Sequence, residues 1–345
     1  MNLKKKIRVL VVEDSMLFRE ALSKGLAGDG NIEIVGKAAD PFEARDKIIE
    51  LRPDVMTLDV EMPKMNGIDF LKKLMPQYPI PTVVVSGESS NVFDAMNSGA
   101  VDFVSKPRVK TPMDFERFIK ELATKVKIAS TAKIRTQVQG TIHEKIRTRG
   151  KGSSLDFGRI IAIGASTGGT EAINSILKQF PEDMPGIVIV QHMPPVFTKM
   201  YAERLDNNCR ISVKEAEDGD LVETGRALLA PGGKQMKIVR SGTKYRVKVF
   251  DGDKVSGHCP SVDVLFDSIA ENAGKKGIGI ILTGMGTDGA KGLLEMRKAG
   301  AYTVGQDEKS SVVYGMPKVA FNIGAVTEQR TLSKIPETVF DYLRS

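Results

Sequence analysis

A serine bordered by glycines follows an apolar run near the middle of the chain. Ile160 to Gly164 leads into Gly164-Ala165-Ser166-Thr167-Gly168-Gly169 and then into a helical pattern, Glu171 to Gln179. A Gly-x-Ser-x-Gly turn between a strand and a helix lifts a hydroxyl to the strand's end, where helix amides favour developing negative charge. A dinucleotide could use the same context. However, Ser166 stands where G-x-G-x-x-G needs its middle glycine, and the next strand ends in Gln191-His192 rather than in an acid for a ribose. Nucleophilic chemistry is therefore the better reading, and a serine needs a positioned base. The chain has three histidines: His143 in a polar basic stretch, His258 in a Gly-rich turn beside Cys259, and His192 at the carboxyl end of the strand after the serine's. His192 is the predicted base. Asp288, in the Thr283 to Gly289 turn that follows an apolar strand and opens another helix, is the predicted orienting carboxylate. Each residue alone has an ordinary alternative: Ser166 or Asp288 as a helix cap, His192 as a histidine bonded to a backbone carbonyl. The chain order Ser, His, Asp also differs from that of the common α/β-hydrolases.

A second set of polar residues precedes these. Glu13-Asp14, Asp59, Ser86 and Lys106-Pro107 each follow or end a short β-rich run. Carboxylates gathered at one edge repel unless a cation joins them, and Mg²⁺ prefers oxygen ligands of this kind. Beside such an ion Asp59 could attack a phosphoryl donor, Lys106 could pair with a phosphoryl oxygen, and the Ser86 hydroxyl could move toward the new charge. Taken singly, these acids would be helix caps or solvated strand ends.

Parallel strands that carry these residues at their carboxyl ends would bring each set together at the edge of its own sheet. The strands expected first are 7–12, 32–38, 55–59, 82–86 and 101–104, with helical segments between them. A second series has strands at 160–164, 186–191, 211–215, 227–230 and 277–283, and helices at 171–179, 198–207, 262–273 and 290–299. The runs 235–240 and 245–250, separated by Ser-Gly-Thr-Lys, read as a hairpin. Alternation on this scale predicts α/β architecture, as two doubly wound parallel-sheet domains with an added hairpin. The expected boundaries are 5–128, a flexible basic linker over 129–156, and 157–345.

The 345 residues suffice for two cores. The net charge of +7 is concentrated in residues 133–152, with six basic residues against Glu144 alone. That stretch has few large apolar residues and no aromatics, which suits a solvated tether better than a nucleic-acid arm. A transcription factor would show a compact helix-turn-helix after the tether, and none is apparent. A metal hydrolase built on His192, His258 and Asp288 lacks an H-x-x-x-H pair or a cysteine cluster. No apolar run reaches membrane-spanning length, and Glu13-Asp14 cuts short the apolar stretch behind Lys4-Lys5-Lys6. With only Cys209 and Cys259, a reducing cytosol is the expected compartment.

VVEDS at 11–15, LDVEMPKMNG at 58–67, SG at 86–87 and SKP at 105–107 resemble the response-regulator receiver domain of two-component signalling, over residues 7 to about 128. The resemblance implies a (βα)5 fold, phosphorylation of Asp59 by a histidine kinase, Mg²⁺ binding aided by Glu13 and Asp14, and a switch aromatic at Phe103. GASTGG at 164–169, QHMPPVFT at 191–198, LAPGG at 229–233, PSVDVLF at 260–266, LTGMGTDGAKGL at 282–293 and QDEKSSVVYGMP at 306–317 resemble the catalytic domain of the chemotaxis protein-glutamate methylesterase (CheB) family. This implies hydrolysis of glutamate γ-methyl esters on chemoreceptor signalling helices, and deamidation of receptor glutamines. Ser166 would be the nucleophile, His192 the proton carrier and Asp288 its orienter, with backbone amides near Thr167 and Met285 receiving the oxyanion. No cofactor is expected in this second domain, nor nucleic acid or membrane insertion. The pairing of domains implies control by phosphorylation, with the unphosphorylated receiver covering the hydrolase edge.

Overall fold

The computed structural model describes residues 5–87, 92–107, 111–134 and 158–344. The chain divides between residues 141 and 142 into two compact units. Most of the expected tether, from 135 to 156 and with it His143, lies outside the described residues.

The first unit runs β1 (Ile7–Val12), α1 (Met16–Ala27), β2 (Ile32–Ala38), α2 (Pro41–Leu51), β3 (Val55–Asp59), α3 (Gly67–Leu74), β4 (Thr82–Ser86), α4 (Val92–Asn97), β5 (Asp102–Ser105) and α5 (Pro112–Ala129). Its sheet has the order β2-β1-β3-β4-β5 with every pair parallel. The winding reverses between β1 and β3, which opens a crevice at their carboxyl ends. Residues of β3 and β4 are buried throughout, as a sheet covered on both faces requires. Local signals set the helix ends: Asp40 accepts from Phe42 N and Glu43 N ahead of Pro41 in α2, and Thr111 and Asp114 form a capping box on α5.

The second unit continues β6 (Ile160–Ala165), α6 (Gly169–Leu177), β7 (Gly186–Gln191), α7 (Phe197–Asn208), β8 (Ser212–Glu215), β9 (Leu221–Val222), β10 (Arg226–Leu229), β11 (Gln235–Ser241), β12 (Lys244–Phe250), α8 (Val262–Asn272), β13 (Gly277–Ile281), α9 (Ala290–Lys298), β14 (Tyr302–Gln306), α10 (Met316–Asn322), β15 (Glu328–Arg330) and α11 (Ile335–Arg344). Seven strands form a parallel sheet ordered β15-β14-β13-β6-β7-β10-β8. The winding reverses between β6 and β13, so the Ser166 turn and the Thr283–Gly289 turn flank one crevice. Residues of β6, β7 and β13 are wholly buried. Leu265, Phe266 and Ile269 of α8 join Leu293 and Met296 of α9 in the core.

Both domains are doubly wound α/β. The hairpin is tighter than the four-residue separation read from the sequence: pairing extends to Ser241 and Lys244, leaving Gly242-Thr243 as the turn, and β9 adds a third antiparallel strand. The expected strands at 101–104, 211–215, 227–230 and 277–283 shift or shorten by one or two residues. The strands β9, β14 and β15 and the helices α10 and α11 are absent from the sequence reading. β9 and β15 are too short for a periodicity, and Gly305 interrupts the apolar alternation of β14. Among the described residues, no helix is long and apolar enough to cross a membrane.

Candidate active site

Strand register brings Ser166 and His192 side by side. Ala165 and Gln191 are partners in the β6–β7 ladder, and His192 N donates to Ala165 O at 3.1 Å, so the next residue on each strand is the candidate nucleophile or base. Gln191 ties the two together: its buried Nε2 donates to Ser166 O at 3.0 Å and to His192 O at 3.1 Å. Ser166 is not the cap of α6. The cap position is Gly168, in the left-handed region at φ +77, where a side chain would also meet Val312. Across the crevice, Gly284 lies so close that a Cβ there would stand 2.7 Å from Ser166 Cβ. Only glycine lets the β13 turn approach the serine.

His192 Nε2 lies 2.7 Å from Asp288 Oδ2, with the histidine side chain 8% exposed and the carboxylate 1%. Asp288 does not cap its own helix, since α9 begins after Gly289 without a side-chain cap. Its carboxylate instead meets the amino end of α8: Oδ2 accepts from Val262 N at 2.8 Å, and Oδ1 from Asp263 N at 3.0 Å and Ser261 Oγ at 2.7 Å. Burial alone would raise this carboxyl, but the bonds from His192, Ser261 and Asp263 outweigh it and hold it below the usual range. Burial, aided by the charge on Asp288, pushes the neighbouring Asp263 up. Asp288 thus holds its charge the more readily of the two, facing the imidazole and the positive end of the α8 dipole.

A carboxylate can only accept, so neutral His192 carries its hydrogen on Nε2 and its lone pair on Nδ1. Nδ1 is buried and has no hydrogen-bond partner among the described residues. The Ser166 hydroxyl is therefore next to this imidazole through the strand register without a hydrogen bond to Nδ1. Met285 N, on the turn beside Ser166, has no acceptor among the described backbone hydrogen bonds. Thr167 is buried at the entry to α6.

At the crevice of the first unit, ligand atoms of Glu13, Asp14 and Asp59 lie within 4.8 Å of one another, the one such group among the described residues. Lys106 Nζ bonds Asp59 Oδ2 at 2.7 Å and lies 2.9 Å from Glu13 Oε2, which has no partner in hydrogen-bonding geometry. Burial, then the charge of Asp59, pushes Glu13 up to about 7, and burial also raises Asp59. Burial would lower the Lys106 ammonium, yet the two carboxylates raise it. Ser86 is fully buried at the end of β4, and Lys106 N donates to its carbonyl at 2.7 Å. Phe103 is buried edge-on to Phe93, with Lys125 Nζ over its ring.

Known proteins share both halves. The chain matches the response regulator receiver domain family over residues 9–114 and the CheB methylesterase family over residues 161–339. A protein-glutamate methylesterase/protein-glutamine glutaminase of Syntrophomonas wolfei is 55% identical over 97% of both chains. A protein of the same description from Salmonella typhi is 48% identical, over 96% of this chain and 95% of its own. The crystal structure of the Thermotoga maritima CheB methylesterase catalytic domain is 38% identical with a TM-score of 0.53, covering 54% of this chain and 98% of that one. The chain belongs to the CheB methylesterase family. Ser166, His192 and Asp288 fall inside the matched catalytic span, and Glu13, Asp14, Asp59, Ser86, Phe103 and Lys106 inside the receiver span.

Three polar residues of the site escaped the sequence reading: Gln191, Gln235 and Ser261. Gln191 adjoins His192, and Ser261 opens an amphipathic helix in the manner of a cap. Either could have been flagged locally, but not as a partner of Ser166 O or of Asp288. His258, set aside as a turn residue, lies flat against the His192 ring.

Proposed function

We propose that this chain hydrolyses glutamate γ-methyl esters on chemoreceptor cytoplasmic helices, and the side-chain amide of receptor glutamines, under control of its phosphorylated receiver domain. The 2.7 Å bond between His192 Nε2 and Asp288 Oδ2, at the strand end next to Ser166, carries this reading.

Ser166 Oγ attacks the γ-carbonyl carbon as its proton passes to His192 Nδ1. The Oγ–C bond forms, and the carbonyl electron pair becomes an oxyanion held by the backbone amides of Thr167 and Met285. The imidazolium, stabilised by ionised Asp288, then donates its Nδ1 proton to the departing oxygen, and methanol leaves. Water repeats the sequence on the acyl-enzyme: Nδ1 takes one of its protons, the tetrahedral centre collapses, Oγ recovers that proton as the Oγ–C bond breaks, and the glutamic acid side chain leaves and gives its remaining proton to solvent. A glutamine differs only in losing ammonia.

In the receiver, Asp59 accepts a phosphoryl group from a histidine kinase, and Lys106 pairs with the new charge. Glu13, Asp14 and Asp59 would hold a divalent cation. Three clustered carboxylates with the single Lys106 ammonium among them, and the raised carboxyls of Glu13 and Asp59, fit a hard ion, which when bound would supply positive charge against the phosphoryl oxygens. The compartment is the cytoplasm, where the kinase and the receptor helices lie.

Methanol release from a methylated receptor fragment, by wild type and Ser166→Ala with and without a small phosphodonor, tests both halves. Loss in the variant and a gain with the donor are expected. An active Ser166→Ala enzyme would overturn the triad, and a rate indifferent to the donor would overturn the regulation.

A further inference from the structure

The imidazoles of His192 and His258 are stacked, with ring centroids 3.7 Å apart and planes 9° from parallel. The hydrogen bond to Asp288 fixes one edge of the His192 ring but leaves it free to swing about the Nε2···Oδ2 line. That swing would carry Nδ1 away from the serine. A flat ring packed against one face removes the remaining freedom, because the stack acts perpendicular to the plane in which the hydrogen bond acts.

His258 is itself fixed. Its backbone exchanges two hydrogen bonds with Val255, at 2.9 and 3.0 Å. Gln235, 2% exposed, donates from Nε2 to His258 O at 3.3 Å and to Asp253 O at 2.8 Å, and its Oε1 accepts from Ser261 N at 2.8 Å. Ser261 in turn holds Asp288. One buried amide thus registers both the ring behind the base and the hydroxyl that pins the carboxylate.

We propose that His258 is a positioning residue for the hydrolysis, orienting the His192 imidazole by face-to-face stacking on a mount set by Gln235. The proposal rests on the function given above. Burial, then the charge of His192, hold the His258 imidazole down at about 4, with Lys254 adding to this and Asp288 opposing it. His258 therefore stays neutral while His192 cycles through its imidazolium form, and it offers that cation a π face rather than a second charge.

The test uses the full chain with His258→Leu, His258→Phe and Ser166→Ala, and two readouts: kcat and KM for methanol release, and the low-field proton NMR signal of the His192 Nε2 hydrogen. His258→Leu is expected to lower kcat about tenfold with KM within about twofold, and to broaden or lose the signal. His258→Phe restores the ring, and is expected to bring kcat within about threefold of wild type and recover the signal. A folded leucine variant with wild-type kcat and signal overturns the proposal, as does a phenylalanine variant no better than leucine. Should the leucine variant fail to fold, His258→Asn against His258→Phe makes the same comparison. Retained activity in Ser166→Ala would instead overturn the serine mechanism, and the NMR signal would still report on the stack.

Discussion

Ser261, at the cap position of α8, turns its hydroxyl away from its own helix and donates it to Asp288 Oδ1 at 2.7 Å, with both residues sealed from solvent. The capping is done from outside, as Asp288 takes the first two amides of α8. One carboxylate therefore links the stability of α8 to the orientation of the His192 imidazole.

Ser261→Ala removes one donor from a buried charge, which costs about 1–3 kcal/mol and raises the Asp288 carboxyl. The expected outcome is a lower melting temperature together with a roughly tenfold fall in kcat. Ser166→Ala, which touches no such bond, should melt within about 0.5 kcal/mol of wild type while losing activity. Calorimetry and methanol-release kinetics on the two variants separate these effects.

Gln191→Leu strips a shared donor from Ser166 O and His192 O. Ser166 O keeps its bond from Gly169 N, but His192 O loses its donor at a cost of about 1–3 kcal/mol, and the two strand ends lose their common brace. Steady-state kinetics should show a fall in kcat of about tenfold with KM little changed, because the clamp acts on the reacting residues and not on the receptor surface.

Stability should fall on acidification in a window set partly by His258. Its folded-state value of about 4 lies below the ordinary 6.5, so the unfolded chain binds the proton more tightly. The contribution is fully present above pH 6.5 and is lost as pH falls toward 4. Discounted for partial exposure, it amounts to about 1–2 kcal/mol. His258→Phe cannot titrate, so its melting temperature should drop less than that of wild type between pH 6.5 and 4. Parallel curves for the two proteins would contradict this.

Millimolar Mg²⁺ should raise the melting temperature of the receiver unit, and a chelator should reverse the rise. Binding to the native state alone adds about 1.4 kcal/mol for each tenfold excess over Kd. Asp59→Asn, lacking one carboxylate of the three, should need more Mg²⁺ for the same shift. Its methanol release should also be deaf to a phosphodonor. Differential scanning calorimetry and the ester assay supply the two readings.

Much of the molecule is legible from local pattern. The buried strands β1, β3, β4, β6, β7 and β13 are short apolar runs ending in polar residues, and the ends of parallel strands are where ligands gather. That reasoning singled out Glu13, Asp14 and Asp59 at the edge of one sheet, and Ser166, His192 and Asp288 at the edge of the other. It could not see β9 or β15, whose two or three residues carry no period, nor the Ser241 and Lys244 pairing that tightens the hairpin.

By itself, then, the sequence determined the two α/β layers, the strand on which each candidate side chain rides and the scarcity of histidines that made His192 the candidate base. These follow from periodicity and residue type, which act over a few positions. Only the tertiary structure decided that β13 docks beside β6, that Asp288 faces Nε2 and leaves Nδ1 as the lone pair, that α8 lends its amino end to the carboxylate, and that His258 lies against the base. The side-chain hydrogen bonds among those choices join residues from 25 to 96 positions apart, and the β13–β6 pairing joins residues farther apart still. They are set by strand order and by the need to satisfy every buried donor and acceptor at once, which no local stretch of chain encodes.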